Sequence, residues 1–386
     1  IDHIASKDGS LIITVDCGIT SVKEVDYAKG LGIDVIITDH HECQEKLPDA
    51  YAVVDPKRDD SSYPFEGICG CGVAFKLIHA LSGNEEFYRN INRYLEIVSL
   101  ATICDIMPIL DENRIIVKNG MEILGQGNNL GMQALLEVCG LDGTKIKSSH
   151  LGFAIGPRIN ASGRLGFSKL GVELFTSDSL EEAKSLALMM DSKNTERQEV
   201  EARIHMEVED ILSKDSSYRD DKVLVISGKD WHHGIIGIVA SKVTEKYYKP
   251  CILLCQEGDM AVGSARSIKG FDIFSALYEC RDYMTKFGGH QQAAGMSMEV
   301  AKIALLREKI NKIANYELNQ EDLVEVIKVE YEIDQASLDL DLVDNLHILE
   351  PFGIKNPTPY FMMRNCLLKR LMPIGRDKNH LKLLVE

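Results

Sequence analysis

No run of eighteen consecutive apolar residues occurs in this chain, so no segment reads as a membrane-spanning helix. A charged-then-apolar leader with a small-residue cleavage site is absent too, as are internal repeats and low-complexity tracts. The cysteines lack a framework. Ten of them, Cys17, Cys43, Cys69, Cys71, Cys104, Cys139, Cys251, Cys255, Cys280 and Cys366, are scattered through 386 residues. With 45% hydrophobic residues the chain buries large cores without disulfide staples, and a reducing, cytoplasmic setting is the simple reading. Cys69-Gly-Cys71 and Cys251-x3-Cys255 each offer half of a zinc site, but no second pair stands at a fitting distance. Excess basic charge is also missing. A net charge of −16 argues against a broad nucleic-acid footprint, although much of the acid is gathered in residues 181–209 and 317–344, which leaves room for a local basic cleft.

What is present has a clear order. Short apolar, β-branched runs at 11–15, 34–38 and 51–54, with a helical stretch at 21–31 between the first two, predict a parallel α/β sheet. Ligands of such sheets sit beyond the carboxyl ends of the strands, where Asp16, Asp39 and Asp55 stand. Helical periodicity then dominates residues 67–175. Ser179-x-x-Glu182 reads as a capping box that opens a helix to about residue 212, long and polar enough to bridge two domains. A second α/β unit begins with a strand at 222–226, followed by a helix at 234–247 and strands at 251–254 and 260–264. After about residue 315 the pattern predicts a strand at 323–331, a short helix near Leu342 and strands near Tyr360 and Leu381, as in a small β-barrel cut off before closure. The expected divisions are 1–176, 177–214, 215–318 and 319–386.

Asp16, Asp39, His40, His41 and Asp105 are carboxylates and imidazoles of the kind that suit Mn²⁺ or Mg²⁺. Two such ions close together polarise a phosphodiester and activate water. One strand-end Asp is commonly a cap or turn residue, and a lone Asp-His-His is a weak signal. Convergence at successive strand ends is stronger, yet the residues alone leave a metal site and a set of turn residues as alternatives. Trp231-His-His233 is read as structural or substrate-stacking and not as a second metal pair, because neighbouring side chains on an extended segment point to opposite faces. Lys242, Lys246 and Lys249 read as a solvated helix face, and Asp55 as a loop or supporting residue.

The order of motifs carries more. Val15-Asp-Cys-Gly18 is followed by Thr38-Asp-His-His41, Val54-Asp-Pro56, Cys69-Gly-Cys-Gly-Val-Ala-Phe75 and Ala101-Thr-Ile-Cys-Asp105. Gly156-Pro-Arg-Ile-Asn-Ala-Ser-Gly-Arg164, Gly263-Ser-Ala-Arg-Ser267, Gly288-Gly-His-Gln-Gln-Ala-Ala-Gly295 and Leu349-Glu-Pro-Phe-Gly-Ile-Lys-Asn-Pro357 come after. This series resembles the DHH phosphoesterase superfamily over nearly the whole chain, and its later motifs resemble the branch of bacterial single-strand-specific DNA exonucleases. The resemblance implies a parallel-sheet DHH domain joined by a long helix to a second α/β, DHH-associated domain, then a partial oligonucleotide-binding β-barrel. It implies that Asp16 bridges two Mn²⁺ or Mg²⁺ ions, that His40 and Asp105 are further ligands, and that His41 helps to hold the scissile phosphate. Arg158, Asn160 and Arg164 would face substrate phosphates. Ser264, Arg266 and His290 would contact the terminal nucleotide, with Gly288 and Gly289 allowing close backbone approach.

The implied activity is 5′-to-3′ release of mononucleotides from single-stranded DNA in repair and recombination, with a helicase or single-strand-binding protein as a conceivable partner. The superfamily's earlier Asp-x-Asp motif has no counterpart upstream of Asp16. With Ile1 in place of a Met and an unfinished barrel, the chain is expected to be a fragment with one metal subsite incomplete and an exposed sheet edge. Two rivals remain at this stage: a DHH hydrolase of short oligonucleotides or nucleotide phosphates, and a non-catalytic nucleic-acid-binding relative.

Overall fold

The structure, a computed structural model, describes residues 1–375, 378 and 380–386. Two compact units emerge, one of residues 1–156 with 328–386 and the other of residues 157–327.

The first unit opens with a short helix α1 (Asp2–Ala5), then β1 (Leu11–Val15), α2 (Val22–Gly30), β2 (Asp34–Thr38) and β3 (Ala52–Val54). The strands are parallel in the order β1-β2-β3, with Val15 opposite Thr38 and Thr38 opposite Val54. That register ends all three strands on one line, so Asp16, Asp39 and Asp55 leave the sheet side by side. Val25 and Ala28 of α2 pack on Ile33, Val35 and Ile37, while Leu11, Ile13 and Val15 of β1 stay about half exposed.

Helix α3 (Gly70–Cys104) starts at Cys69, whose sulfur accepts the Gly72 amide. Its 35 residues would run about 52 Å if straight. Gly83, at φ +72° and ψ 170°, breaks it into two arms. This conformation suits only glycine. The Phe75 and Phe87 rings, one on each arm, then pack 4.9 Å apart. Helices α4 (Asp111–Ile123), α5 (Leu130–Val138) and α6 (Ser148–His150) follow, and a π-helical turn (Leu151–Ile155) closes this part.

The second unit carries α7 (Gly156–Arg164), α8 (Lys169–Thr176) and α9 (Leu180–Lys214). Only half of the expected capping box forms: Ser179 accepts the Glu182 amide, but the Glu182 carboxylate takes the Ser177 hydroxyl instead of returning to the backbone. Then come β4 (Leu224–Lys229), α10 (His233–Tyr247), β5 (Cys251–Glu257), β6 (Met260–Arg266), α11 (Ile273–Glu279), β7 (Met284–His290), β8 (Ala293–Glu299) and α12 (Ile303–Glu317). The five strands order as β4-β5-β6-β8-β7, parallel between β4 and β5 and antiparallel elsewhere. One face packs Val225, Ile252, Leu254 and Met296 with Leu306 and Ile310 of α12. The other packs Leu224, Ile226 and Leu253 with Ile236 and Val239 of α10 and Ile204 and Val208 of α9. Trp231 is buried in that second core and donates its indole N–H to Glu207, while His232 caps α10 through Nδ1. Lys242 and Lys246 pair with Glu201 and Glu209 of α9, so this lysine row ties two helices together and is not merely a solvated face.

The last segment belongs to the first unit. It comprises β9 (Tyr331–Glu332), α13 (Leu340–Leu346), β10 (Phe361–Met362), β11 (Leu368–Ile374) and β12 (His380–Val385). The strand expected over 323–331 does not form; only its last residue, Tyr331, enters the two-residue β9. Val324, Val326 and Ile327 are exposed, and an alternating pattern without a neighbour to pair with does not make a ladder. Arg114 donates to the carbonyls of Ile348, Leu349 and Glu350, and the Ile109 amide to Ile354, which fastens the Leu349–Pro357 motif to α4 and the turn before it.

Glu96, on the second arm of α3, is 1% exposed; its Oε1 accepts from the Asn128 side chain and its Oε2 has no partner. Burial pushes its carboxyl up to about 7 against the opposing Asn128 and Asn129 donors. The folded protein therefore holds a proton that the unfolded chain releases near the ordinary value of 4.5. The resulting stabilisation is fully present below that value and is lost as pH rises through about 7, at up to ~1.4 kcal/mol per pH unit. Urea unfolding at pH 5.5 and 8 should show this loss in the wild type and a flatter response in Glu96→Gln; equal slopes in the two proteins would exclude it.

Candidate metal centre

Each ligand candidate is delivered by a different local device. Asp16 follows β1 at φ +64°, the left-handed region that Asp tolerates better than most residues, and its amide donates to Thr38 across the sheet. Gly70 makes room for it, since a Cβ there would overlap the Asp16 carboxylate. Asp105 caps the far end of α3. The next residue, Ile106, is left-handed at φ +58°, and the Met107 amide returns to Thr102. This is the helix-ending turn that usually takes glycine, so a β-branched residue here holds backbone strain beside the site. The fold at Gly83 is what lets α3 serve the centre twice, with Gly70 at its beginning and Asp105 at its end.

His40 is 4% exposed, with Nε2 3.0 Å from Asp16 Oδ1 and 3.4 Å from Asp105 Oδ2. Neither approach is aligned as a hydrogen bond, which leaves this buried nitrogen without a partner while two carboxylates face it. One ligand atom each from Asp16, His40 and His41 fits within 4.8 Å of the others. Burial pushes the Asp105 carboxyl above the usual range; His40 opposes this and the like charge of Asp16 adds to it. A bound cation would relieve both the repulsion and the orphaned nitrogen. Hard oxygen donors with one imidazole suit Mn²⁺ or Mg²⁺, so the residues present fit the implied metal.

Asp39 is the piece whose role sequence reasoning missed. Fully buried, it accepts the Ile19 amide on Oδ2 and, on Oδ1, the His40 and His41 amides and the His41 ring at 2.7 Å. Burial alone would push its carboxyl up, but these donors together hold it below the usual range. The His41 ring is pushed up in return, chiefly by its bond to Asp39. Asp39 thus holds the turns instead of offering a ligand atom. The only sequence signal for this was its place in the Asp-His-His triplet.

The remaining candidates lie in the second unit. In register across three strands, Arg266 opposes Ala293, which opposes His290; Ser264 opposes Gly295, which opposes Gly288. These rows share one sheet face, small and polar, with Gly288, His290 and Gly295 exposed. Arg266 donates to Ser264 and Ser241, and its guanidinium is pushed down by burial and by the like charge of Arg164. A Cβ on Gly237 would lie 2.9 Å from Ser264 Oγ and 3.0 Å from the guanidinium, so glycine there keeps the pocket open. Gly289, at φ +153°, abuts the Ala293–Ala294 backbone, and His290 Nδ1 accepts the Gln292 amide. On α7, Arg164 donates to the Gly234 carbonyl, Asn160 is exposed, and Arg158 commits its Nε to Asp191 at 2.8 Å.

Comparison with known proteins places the whole chain among relatives of one kind. Family models match as the DHH family, N-terminal domain, over residues 1–102, the DHHA1 domain over 220–315 and the RecJ OB domain over 329–386. The chain is 38% identical to the single-stranded-DNA-specific exonuclease RecJ of Bacillus subtilis over 99% of its own length, and spans 48% of that protein. It is 34% identical to the RecJ of Escherichia coli, of which it spans 70%. The crystal structure of RecJ from Thermus thermophilus in complex with Mn²⁺ superimposes with a TM-score of 0.85 at 28% identity, over 99% of this chain and 56% of that one. The same protein in complex with Mg²⁺ gives 0.78 at 26% identity, over 97% and 54%.

The close approach at Gly70 gives a direct check on the geometry. Gly70→Ala should push the Asp16 carboxylate aside and weaken Mn²⁺ binding at least about ten-fold with little change in thermal stability. Unchanged affinity in calorimetric titration would mean that Asp16 does not ligate from its present position.

Proposed function

The chain belongs to the RecJ family of DHH phosphoesterases, and from that premise we propose that it is the catalytic part of a metal-dependent exonuclease that degrades single-stranded DNA. The observation that carries this reading is the convergence of Asp16, His40 and Asp105 at strand and helix ends around a buried imidazole nitrogen without a hydrogen-bond partner. Those three residues would hold Mn²⁺ or Mg²⁺. Bound there, divalent ions supply the Lewis-acid charge that phosphodiester hydrolysis requires.

The chain's own groups do the positioning. Asp39 orients the His41 ring and raises its proton affinity, so His41 presents an N–H, charged over a wider pH range, to a phosphate oxygen. In the second unit, Arg266 and Ser264 form a half-buried anion-binding pair, with Arg164 close by. Together with Asn160, Gly289 and His290 they are assigned to the phosphate and sugar of the terminal nucleotide. The exposed glycine-rich face lets a backbone lie close. Arg158, whose Nε is held by Asp191, is assigned to the substrate phosphates with them. The direction is 5′ to 3′ with mononucleotide products, in DNA repair and recombination. A helicase or single-strand-binding protein is the kind of partner that would present such a substrate. Ten free cysteines suit a reducing cytoplasm.

The test is nucleotide release from end-labelled single-stranded DNA in Mn²⁺, with this chain, with the chain extended upstream, and with His40→Ala in each. Single strands should be degraded, long ones at least as well as short, and His40→Ala should lower the rate by about 10²-fold or more. Preference for dinucleotides would instead favour a short-oligonucleotide hydrolase. Absence of activity in every form, with DNA binding retained, would favour a non-catalytic role.

A further inference from the structure

The nucleotide face of the second unit extends one row beyond Gly288, Gly295 and Ser264. In that next row Lys286 of β7 stands opposite Ser297 of β8, and Ser297 opposite Val262 of β6. Residues two apart on a strand share a face, so Lys286 and Ser297 lie on the side that carries Gly288, His290, Ser264 and Arg266. The alternate residues Ala294, Met296 and Met298 are buried in the core beneath. The one register shift between β7 and β8 falls before Lys286, and the parity holds from there to His290.

Lys286 is exposed, and its ammonium makes no ion pair or hydrogen bond with any described residue. Other lysines of this unit are committed: Lys242 and Lys246 to α9, Lys302 to Glu299 and Lys312 to Glu308. The Ser297 hydroxyl is likewise free among the described residues, while its carbonyl accepts the Thr285 hydroxyl at 3.0 Å. Beyond this row the face turns acidic, since Glu299, next in step on β8, is exposed and pairs with Lys302 at 3.2 Å. The Lys286 row lies four residues from the Arg266 row on each strand, or about 14 Å. That spacing suits two phosphates of one chain better than a single shared one.

Resting on the reading of this face as a nucleotide site, we propose that Lys286 and Ser297 form a second phosphate subsite. It takes a backbone phosphate of the single strand other than the one held at Arg266 and Ser264. Lys286 supplies the charge and the Ser297 hydroxyl a neutral donor. Neither group reads a base, so the subsite serves any sequence, and only a ligand longer than one nucleotide reaches both rows. Because β7 is an edge strand, a lysine here also discourages pairing with a foreign strand. A charge of either sign does that, whereas only a positive one holds a phosphate, so Lys286→Glu separates the two roles.

The test is the fluorescence anisotropy of a labelled single-stranded oligothymidylate, titrated at a series of NaCl concentrations without divalent ions. It compares the wild type with Lys286→Ala, Lys286→Glu, Lys286→Arg and Lys312→Ala. Lys286→Ala should make the fall of log K with log salt shallower by about 0.7, the loss of one phosphate contact on a single strand. Its binding should weaken several-fold at low salt, and less as salt rises. Lys286→Arg should keep the slope, Lys286→Glu should bind more weakly than the alanine variant, and Lys312→Ala, on the opposite side of the sheet, should match the wild type. Thymidine 5′-monophosphate, too short to reach both rows, should bind the wild type and Lys286→Ala equally. A wild-type slope in Lys286→Ala, equal binding by its alanine and glutamate variants, or the same loss in Lys312→Ala overturns the proposal. So does weaker binding of the monophosphate by Lys286→Ala, which would put Lys286 in the terminal-nucleotide site. If Arg266→Ala also binds oligonucleotide and monophosphate as the wild type does, the reading of the whole face has failed, not merely the role of Lys286.

Discussion

The site depends on one buried carboxylate. Asp39 joins the turn after β1, through Ile19, to the turn after β2, through His40 and His41, and its own amide reaches across to β3. Parallel strands share no hairpin, so nothing covalent and local keeps their ends in step. A charged acceptor with four donors supplies that link, and charge-assisted bonds of this kind are the stronger ones. The burial that would otherwise neutralise Asp39 is outweighed by its donors, so the bracing group stays ionised where three other acidic groups, Asp16, Asp55 and Asp105, also gather. A divalent cation is the natural counterweight to such a collection.

The sequence disclosed the ingredients better than their assignments. Strand–helix–strand spacing placed Asp16, Asp39 and Asp55 at neighbouring strand ends because parallel pairing with an even register does so automatically. His40 and Asp105 came from motif order, and the geometry unites them with Asp16. Illegible in advance was the division of labour among the aspartates, because a ligand, a brace and a loop anchor share one letter and differ only in which donors surround them. Gly70 and Gly237 were equally silent: their value is the space beside Asp16 and Arg266, and space has no periodicity. The strand expected at 323–331 failed for a related reason, since alternation describes a face and says nothing about whether a neighbour exists to pair with it.

The second unit solves a different problem with similar means. Its sheet is covered by α12 on one face, whereas on the other face the helical cover formed by α10 and α9 packs on β4 and β5 and ends near β6. Beyond that point the residues are Ser264, Arg266, Gly288, His290 and Gly295, too small or too polar to form a core. An apolar surface left open would invite association; a glycine-rich polar one with a half-buried guanidinium does not, and it selects for anionic company.

The fold of α3 at Gly83 has an evolutionary consequence. Because Gly70 and Asp105 both meet the same centre, each arm is a ruler measured from the tip. Adding or removing one residue within an arm would rotate everything beyond it by about 100° and carry a ligand away from the ion. The tip itself is exposed at Gly83 and Asn84 and touches nothing in the centre. Length variation along this lineage should therefore collect at that bend and be purged from the arms, so that a helix interior, ordinarily forgiving of substitution, here keeps count.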